Sequence, residues 1–124
     1  MHAHSPEDIH RLFADAFNAH DLDALVALYE PEAVLVPQAG QRVSGHEAIR
    51  KALTGFLTGF ASIEITNRGT VNQGGIALMY PNIHLRGTGK SGEPTTLEGH
   101  GTEVVRRQAY GGWLFIIDDP FSTA

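Results

Sequence analysis

Hydrophobic positions recur at helical spacing in the first part of the chain and alternate in the second. Ile9, Leu12, Phe13, Ala16 and Phe17 stand at i, i+3, i+4, i+7 and i+8, which places them on one face of a first helix. Ser5 reads as its N-cap, Pro6 as its first residue and Asp8 as the third position of a capping-box variant. Asn18-Ala19-His20 breaks the pattern. Asp21 then caps a shorter helix with Leu22, Leu25, Val26 and Tyr29 on one face, ended by Pro31. Ala33 to Val36 reads as one short strand, and Gln38 to Val43 as a turn or loop. Ser44 caps a third helix, Glu47 completes the box, and Ala48, Ile49, Ala52, Leu53, Phe56, Leu57 and Phe60 form the stripe. Gly55 and Gly59 weaken its end.

From Ser62 the period becomes two, with Ile63 and Ile65 alternating with Glu64 and Thr66. Gly74-Gly75, the run Gly87 to Pro94, and Gly111-Gly112 predict hairpin turns between strands at Ser62 onward, Ile76 to Arg86, Thr95 to Gln108, and Trp113 to Asp118. Pro81 predicts an edge or a bulge. Three helices followed by a meander make one α+β domain over residues 1–124, with the helices packed on a strongly curved antiparallel sheet that encloses a cone. Ten of the 14 glycines follow Arg68, where they permit that curvature.

Composition narrows the function. The 124 residues include no cysteine, which removes disulfide scaffolds, thiol nucleophiles and Cys-ligated metals. A formal charge of -5 argues against nucleic acid as a partner. No run approaches the ~20 apolar residues of a membrane span. The start of the chain has no signal-peptide pattern, so a soluble cytoplasmic protein without membrane partners is expected. No G-x-S-x-G elbow surrounds any serine, and Gly87-Thr88-Gly89-Lys90-Ser91 lacks phosphate-loop spacing.

His20-Asp21-Leu22-Asp23-Ala24-Leu25 before Tyr29, the helix start Ser44-Gly45-His46-Glu47-Ala48-Ile49, and the ending Gly112-Trp113-Leu114-Phe115-Ile116-Ile117-Asp118-Asp119-Pro120-Phe121 carry a resemblance. The chain resembles the nuclear transport factor 2-like superfamily, closest to its SnoaL-like and steroid-isomerase-like branch. The resemblance implies a cone-shaped, cystatin-like roll, and dimerisation through the outer face of the sheet. It does not choose among isomerases, dehydratases, cyclases, ligand binders and interaction domains. The steroid-isomerase machinery itself does not carry over. The position resembling its general base is Pro37, its oxyanion tyrosine falls on Phe13, and its second tyrosine falls on Leu53. The oxyanion aspartate alone finds a counterpart, Glu103, fifteen residues before Asp118.

Glu103 and Asp118 are the candidate catalytic pair. On adjacent strands of a Gly111-Gly112 hairpin both can face the interior, where burial raises a carboxyl pKa into the range of a general acid or base. The competing reading pairs Glu103 with Arg86, Arg106 or Arg107 and makes Asp118 a turn cap. Tyr80, Asn82 and His84 share a face and serve either the pocket or a subunit interface. Glu98 and His100 share a face opposite to that of Glu103 unless a bulge at Gly99 or Gly101 resets the register. With Asp118 or His84 they lack metal-site spacing, so no metal is expected. Phe13, Phe17, Tyr29, His100 and Ile116 complete the expected substrate-binding set, although an aromatic stripe of this kind serves mainly the core. The expected function is binding of a small hydrophobic or carbonyl-bearing molecule by a homodimer, with cofactor-independent isomerisation, cyclisation or dehydration by proton transfer. The alternatives are a non-catalytic binding module and an interaction domain.

Overall fold

The computed structural model describes residues 2–123, with the side chain of Thr123 outside the description. Its elements are α1 (Asp8–Asn18), α2 (Leu22–Val26), β1 (Tyr29–Gln38), β2 (Gln41–Ser44), α3 (His46–Gly59), β3 (Ser62–Gln73), β4 (Ile76–Thr88), β5 (Pro94–Arg107) and β6 (Trp113–Thr123). The strands form one sheet in the order β2-β1-β6-β5-β4-β3, with helices packed against it. The sheet is not closed into a barrel. The expected antiparallel sheet is mixed, because β1 pairs with β6 in parallel. Among the described residues no helix is long and apolar enough to cross a membrane.

The α+β order and all three glycine hairpins agree with the pattern reading. The region between α2 and α3 does not. Tyr29 is not the end of the second helix but the first residue of a ten-residue strand, and the expected loop contains β2. Ser44 belongs to β2, and Gly45 at φ 86° occupies the cap position of α3. The short apolar run at Ala33–Val36 understated this strand because its ends are polar or proline. Ladder partners, not composition, hold them extended.

Pro81 lies within β4, which is neither an edge strand nor bulged. The register Met79↔Glu103 and Asn82↔His100 sets Pro81 opposite Gly101. A proline has no N–H to give the Gly101 carbonyl. Arg68 supplies the missing donor. The bulge between Asn67 and Thr70 in β3 frees its guanidinium to donate from Nη2 to the Gly101 carbonyl at 3.0 Å and from Nε to the Tyr80 carbonyl at 3.2 Å. The irregularity expected at Pro81 is thus displaced onto the neighbouring strand.

Alternation along β4 buries Ala77, Met79, Pro81, Ile83 and Leu85 against the helices. Ile9, Phe13 and Phe17 of α1, Leu25 of α2 and Ile49 and Leu53 of α3 complete the core with Leu35, Val105 and Phe115. Asn18 pins the end of α1 to β3, accepting from the Ile63 N–H at 2.8 Å and donating to its carbonyl at 3.3 Å.

Candidate active site

Between the helices and the inner face of the sheet lies a cavity. Its walls are apolar: Phe13, Phe17, Leu53, Phe56, Ile63, Ile83, Leu85, Phe115 and Phe121 among others. The free space open to water centres is about 40 Å³. That is room for a few waters at roughly 10–15 Å³ each. Four polar side chains line it: His10, Tyr29, Glu103 and Asp118.

Each arrives from a different element. Glu103 faces inward because β5 pairs with β4 without interruption. The alternation therefore continues from Gly99 and Gly101 to Glu103 and Val105, all four buried. No bulge resets β5, so Glu98 and His100 point to the outer face. Asp118 owes its inward position to a bulge in β6. The register changes between Val104↔Ile117 and Val105↔Phe115, so Ile116 has no partner opposite it. Phe115 and Asp118 are three residues apart and both line the cavity. In a regular strand their parity would separate them.

The four groups form two pairs. The His10 imidazole Nε2 is hydrogen-bonded to Glu103 Oε1, both buried. The Tyr29 hydroxyl donates to Asp118 Oδ2 at 2.6 Å. Tyr29 is held in turn at its backbone, whose carbonyl lies 2.7 Å from Nε2 of His46 on α3. Burial pushes the Glu103 carboxyl up, while the hydrogen bond and charge of His10 pull it down. Asp118 is pushed up to about 8, first by burial and then by the nearby Glu103 charge, against a smaller lowering by the Tyr29 hydrogen bond. Burial and the Asp118 charge likewise raise the Tyr29 hydroxyl well above its ordinary range. Two carboxyls beside one another in an apolar cavity do not both ionise readily. The imidazole favours charge on Glu103, while Asp118, pushed up to about 8, holds its proton near neutral pH.

The expected site residues divide cleanly. Glu103, Asp118, Phe13, Phe17 and Tyr29 line the cavity. The ion pairs expected to neutralise Glu103 are absent, since Arg86 pairs with Glu64 and Arg106 with Glu30. Tyr80, Asn82, His84 and His100 do not line it. They alternate with the buried positions of β4 and β5 and project from the other side of the sheet. There His84 Nδ1 lies 3.0 Å from Glu98 Oε1, and His100 Nδ1 lies 2.7 Å from Asn82 Oδ1. Ile116 also fails to reach the cavity, displaced by the bulge it forms. Among the described residues no cluster of three or more His, Asp or Glu is arranged to hold a metal ion.

His10 is the site residue that pattern reading missed. Its signal was present, because positions 10, 13 and 17 fall on one face of α1 and a histidine there sits within an aromatic stripe. Phe13 and Leu53 carry apolar groups into the cavity at the two places where the resemblance places tyrosines.

A family model described as a SnoaL-like domain matches residues 9–113. Solved structures of low sequence identity share the fold. A ketosteroid isomerase-like protein from Erwinia carotovora atroseptica aligns at 18% identity over 90% of this chain and 88% of its own, with a TM-score of 0.78. A presumed aromatic ring hydroxylase from Novosphingobium aromaticivorans aligns at 23% identity over 95% and 87%, with a TM-score of 0.75. A presumed dehydratase from the NTF2-like family of Streptomyces avermitilis aligns at 18% over 88% of each chain, with a TM-score of 0.67. No curated protein matches the sequence. At these identities the likeness speaks to the fold alone.

Proposed function

The chain belongs to the SnoaL-like domain family, and on that premise we propose that it is a cofactor-independent acid–base catalyst. Its substrate would be a small apolar molecule bearing a carbonyl, and its reaction an isomerisation, cyclisation or dehydration. The observation that carries this reading is the pairing of His10 with Glu103 and of Tyr29 with Asp118 in one apolar cavity. The first pair is a base held ready to accept a proton. The second is an acid that keeps its proton near neutral pH.

The His10–Glu103 pair takes a proton from the carbon beside the carbonyl. The electrons of the broken C–H bond move to form an enol, and the carbonyl oxygen receives the proton of Asp118. Tyr29, donating to the other edge of that carboxyl, stabilises the charge left on it. The proton held by the His10–Glu103 pair either returns at a different carbon, which isomerises the substrate, or goes to a hydroxyl on the next carbon, which then leaves as water; in both cases the enol proton returns to Asp118 as the carbonyl re-forms. The apolar walls exclude water and strengthen both hydrogen bonds.

Deuterium exchange in D2O tests the reading without knowledge of the natural substrate. Flat cyclic ketones, 2-tetralone first, should lose α-protons to solvent faster with the protein present. The Glu103→Gln variant should slow that exchange by about 10²- to 10⁴-fold. Ketones that bind without exchanging would overturn catalysis in favour of a binding module.

The partner expected at the sheet is a second copy of this chain. Val71, Leu78, Val104, Ile117 and Val34 are ladder neighbours across β3, β4, β5, β6 and β1 on the outer face. Val71 is 58% exposed and Ile117 44%. This aliphatic row supports a homodimer joined through the sheet.

A further inference from the structure

The space open to water centres in the cavity is about 40 Å³. A ligand larger than a few waters that seats fully inside must therefore displace part of its wall. The wall is uneven. Most of its residues are buried, while Phe56, Ile65 and Phe121 are half-buried and mark the outer side. Phe56 of α3 and Phe121 of β6 stack across this side, their ring centroids 6.1 Å apart. Gly99 and Gly101 allow β6 to lie close enough for that contact. A Cβ at Gly99 would come within 2.4 Å of the Phe121 ring, and one at Gly101 within 2.9 Å of the Pro120 Cα.

The helix that carries Phe56 is firm up to Leu53 and weak beyond it. The buried residues of α3 are Ile49 and Leu53. Beyond them stand Thr54, Gly55, Thr58 and Gly59. The two threonine hydroxyls donate back to the carbonyls of Arg50 and Thr54, at 2.8 and 2.9 Å, a pattern that bends and weakens helices. Neither glycine is there for want of room, since a Cβ at Gly55 or Gly59 meets nothing within 4 Å and neither has a positive φ. Each therefore costs helix stability with no packing return. After Gly59 the chain is anchored again, as the Ala61 N–H donates to the Arg86 carbonyl at 2.8 Å.

We propose that Thr54–Gly59 is a lid that frays locally between fixed points at Leu53 and Phe60, lifting Phe56 from Phe121 to admit small apolar molecules to the cavity. The inference concerns access and stands whether the cavity catalyses or only binds. Its test requires no turnover, so its failure is distinct from failure of the acid–base reading.

The chain contains no cysteine, so one introduced thiol reports alone. Leu35→Cys places it in the cavity wall, and Ala77→Cys places it in the core away from the cavity. Labelling by a small uncharged thiol reagent should be at least about tenfold faster at residue 35 than at residue 77. Adding Gly55→Ala and Gly59→Ala should slow labelling at residue 35 by about five- to thirty-fold, the combined helix propensity of two such changes. Equal rates at the two positions would mean that the cavity opens only by global unfolding. Fast labelling at residue 35 that ignores the alanines would mean that another route serves. Either result overturns the lid. Should Leu35→Cys fail to fold, Ile83→Cys samples the same cavity. Hydrogen exchange on the unmodified chain provides a second measurement. The Phe60 amide, which donates to the Phe56 carbonyl, should exchange far faster than the amides of Ile49 to Leu53. Equal protection there would also overturn the proposal.

Discussion

Glu103 and Asp118 stand directly opposite one another across the β5–β6 ladder, and each is hydrogen-bonded to a side chain from another element. His10 descends from α1 onto Glu103, and Tyr29 reaches from β1 to Asp118. The cross-strand position brings two carboxyls close, and the different partners make them unequal. On the proposed acid–base reading, that inequality lets one of them serve as base while the other holds a proton.

His10 and Glu103 should be energetically coupled, because each is the hydrogen-bond partner of the other in a buried site. His10→Phe alone leaves a buried carboxyl without its partner and should destabilise the fold by about 1–3 kcal/mol. His10→Phe combined with Glu103→Leu should recover most of that loss, because an apolar pair leaves no polar group unsatisfied. Urea unfolding of the two single variants and the double variant reads the coupling. Strictly additive effects would show that neither side chain depends on the other.

Asp118 sets a pH dependence of stability. Its carboxyl is raised from 3.8 to about 8 in the fold. The folded state therefore holds a proton that the unfolded chain releases near its ordinary value. The associated stability is fully present below the unfolded pKa and is lost as pH rises toward about 8, at no more than about 1.4 kcal/mol per pH unit. Asp118→Asn keeps an acceptor for the Tyr29 hydroxyl and cannot ionise. It should unfold at a higher temperature than the parent, with the gain growing between pH 5 and 8. A gain independent of pH would mean that Asp118 does not titrate in this window.

Arg68 and Pro81 should be coupled. Arg68→Ala leaves the carbonyl of Gly101 without its donor and should cost about 1–3 kcal/mol. Pro81→Ala restores a backbone N–H opposite Gly101, so Arg68→Ala should cost less in that background. Thermal unfolding of the four-member cycle measures the difference. An unchanged cost would place the value of Arg68 elsewhere.

Glycine at position 99 is required by contact, whereas at 69 it is not. A Cβ at Gly99 would overlap the Phe121 ring at 2.4 Å and the Pro120 carbonyl at 2.6 Å, while one at Gly69 meets nothing within 4 Å. Gly99→Ala should destabilise by about 1–3 kcal/mol, and Gly69→Ala should stay within about 0.5 kcal/mol of the parent. Similar effects at both positions would remove the close approach of β6 as the cause.

The outer aliphatic row should hold the dimer. Ile117→Lys places a charge within it at an exposed position and should convert the proposed dimer to monomer in sedimentation velocity, leaving the far-ultraviolet circular dichroism unchanged. A monomeric parent would dismiss the interface.

Periodicity alone determined most of this fold: the helical spacing of Ile9 to Phe17, the alternation from Ser62 onward and three glycine hairpins each name an element locally. Glu103 and Asp118 were legible as a pair because a hairpin of known turn places two strands side by side. Three features were decided only in the tertiary structure. Tyr29 to Gln38 became a long strand because β6 and β2 lie ready to pair with it. Ile116 turned away and Asp118 turned inward through a bulge, which exists only relative to the strand opposite. His10 became half of the candidate base because α1 packs on the sheet with this side chain reaching Glu103. Periodicity is a property of neighbours in the chain. Register, bulges and the meeting of residues 93 positions apart are properties of partners in space.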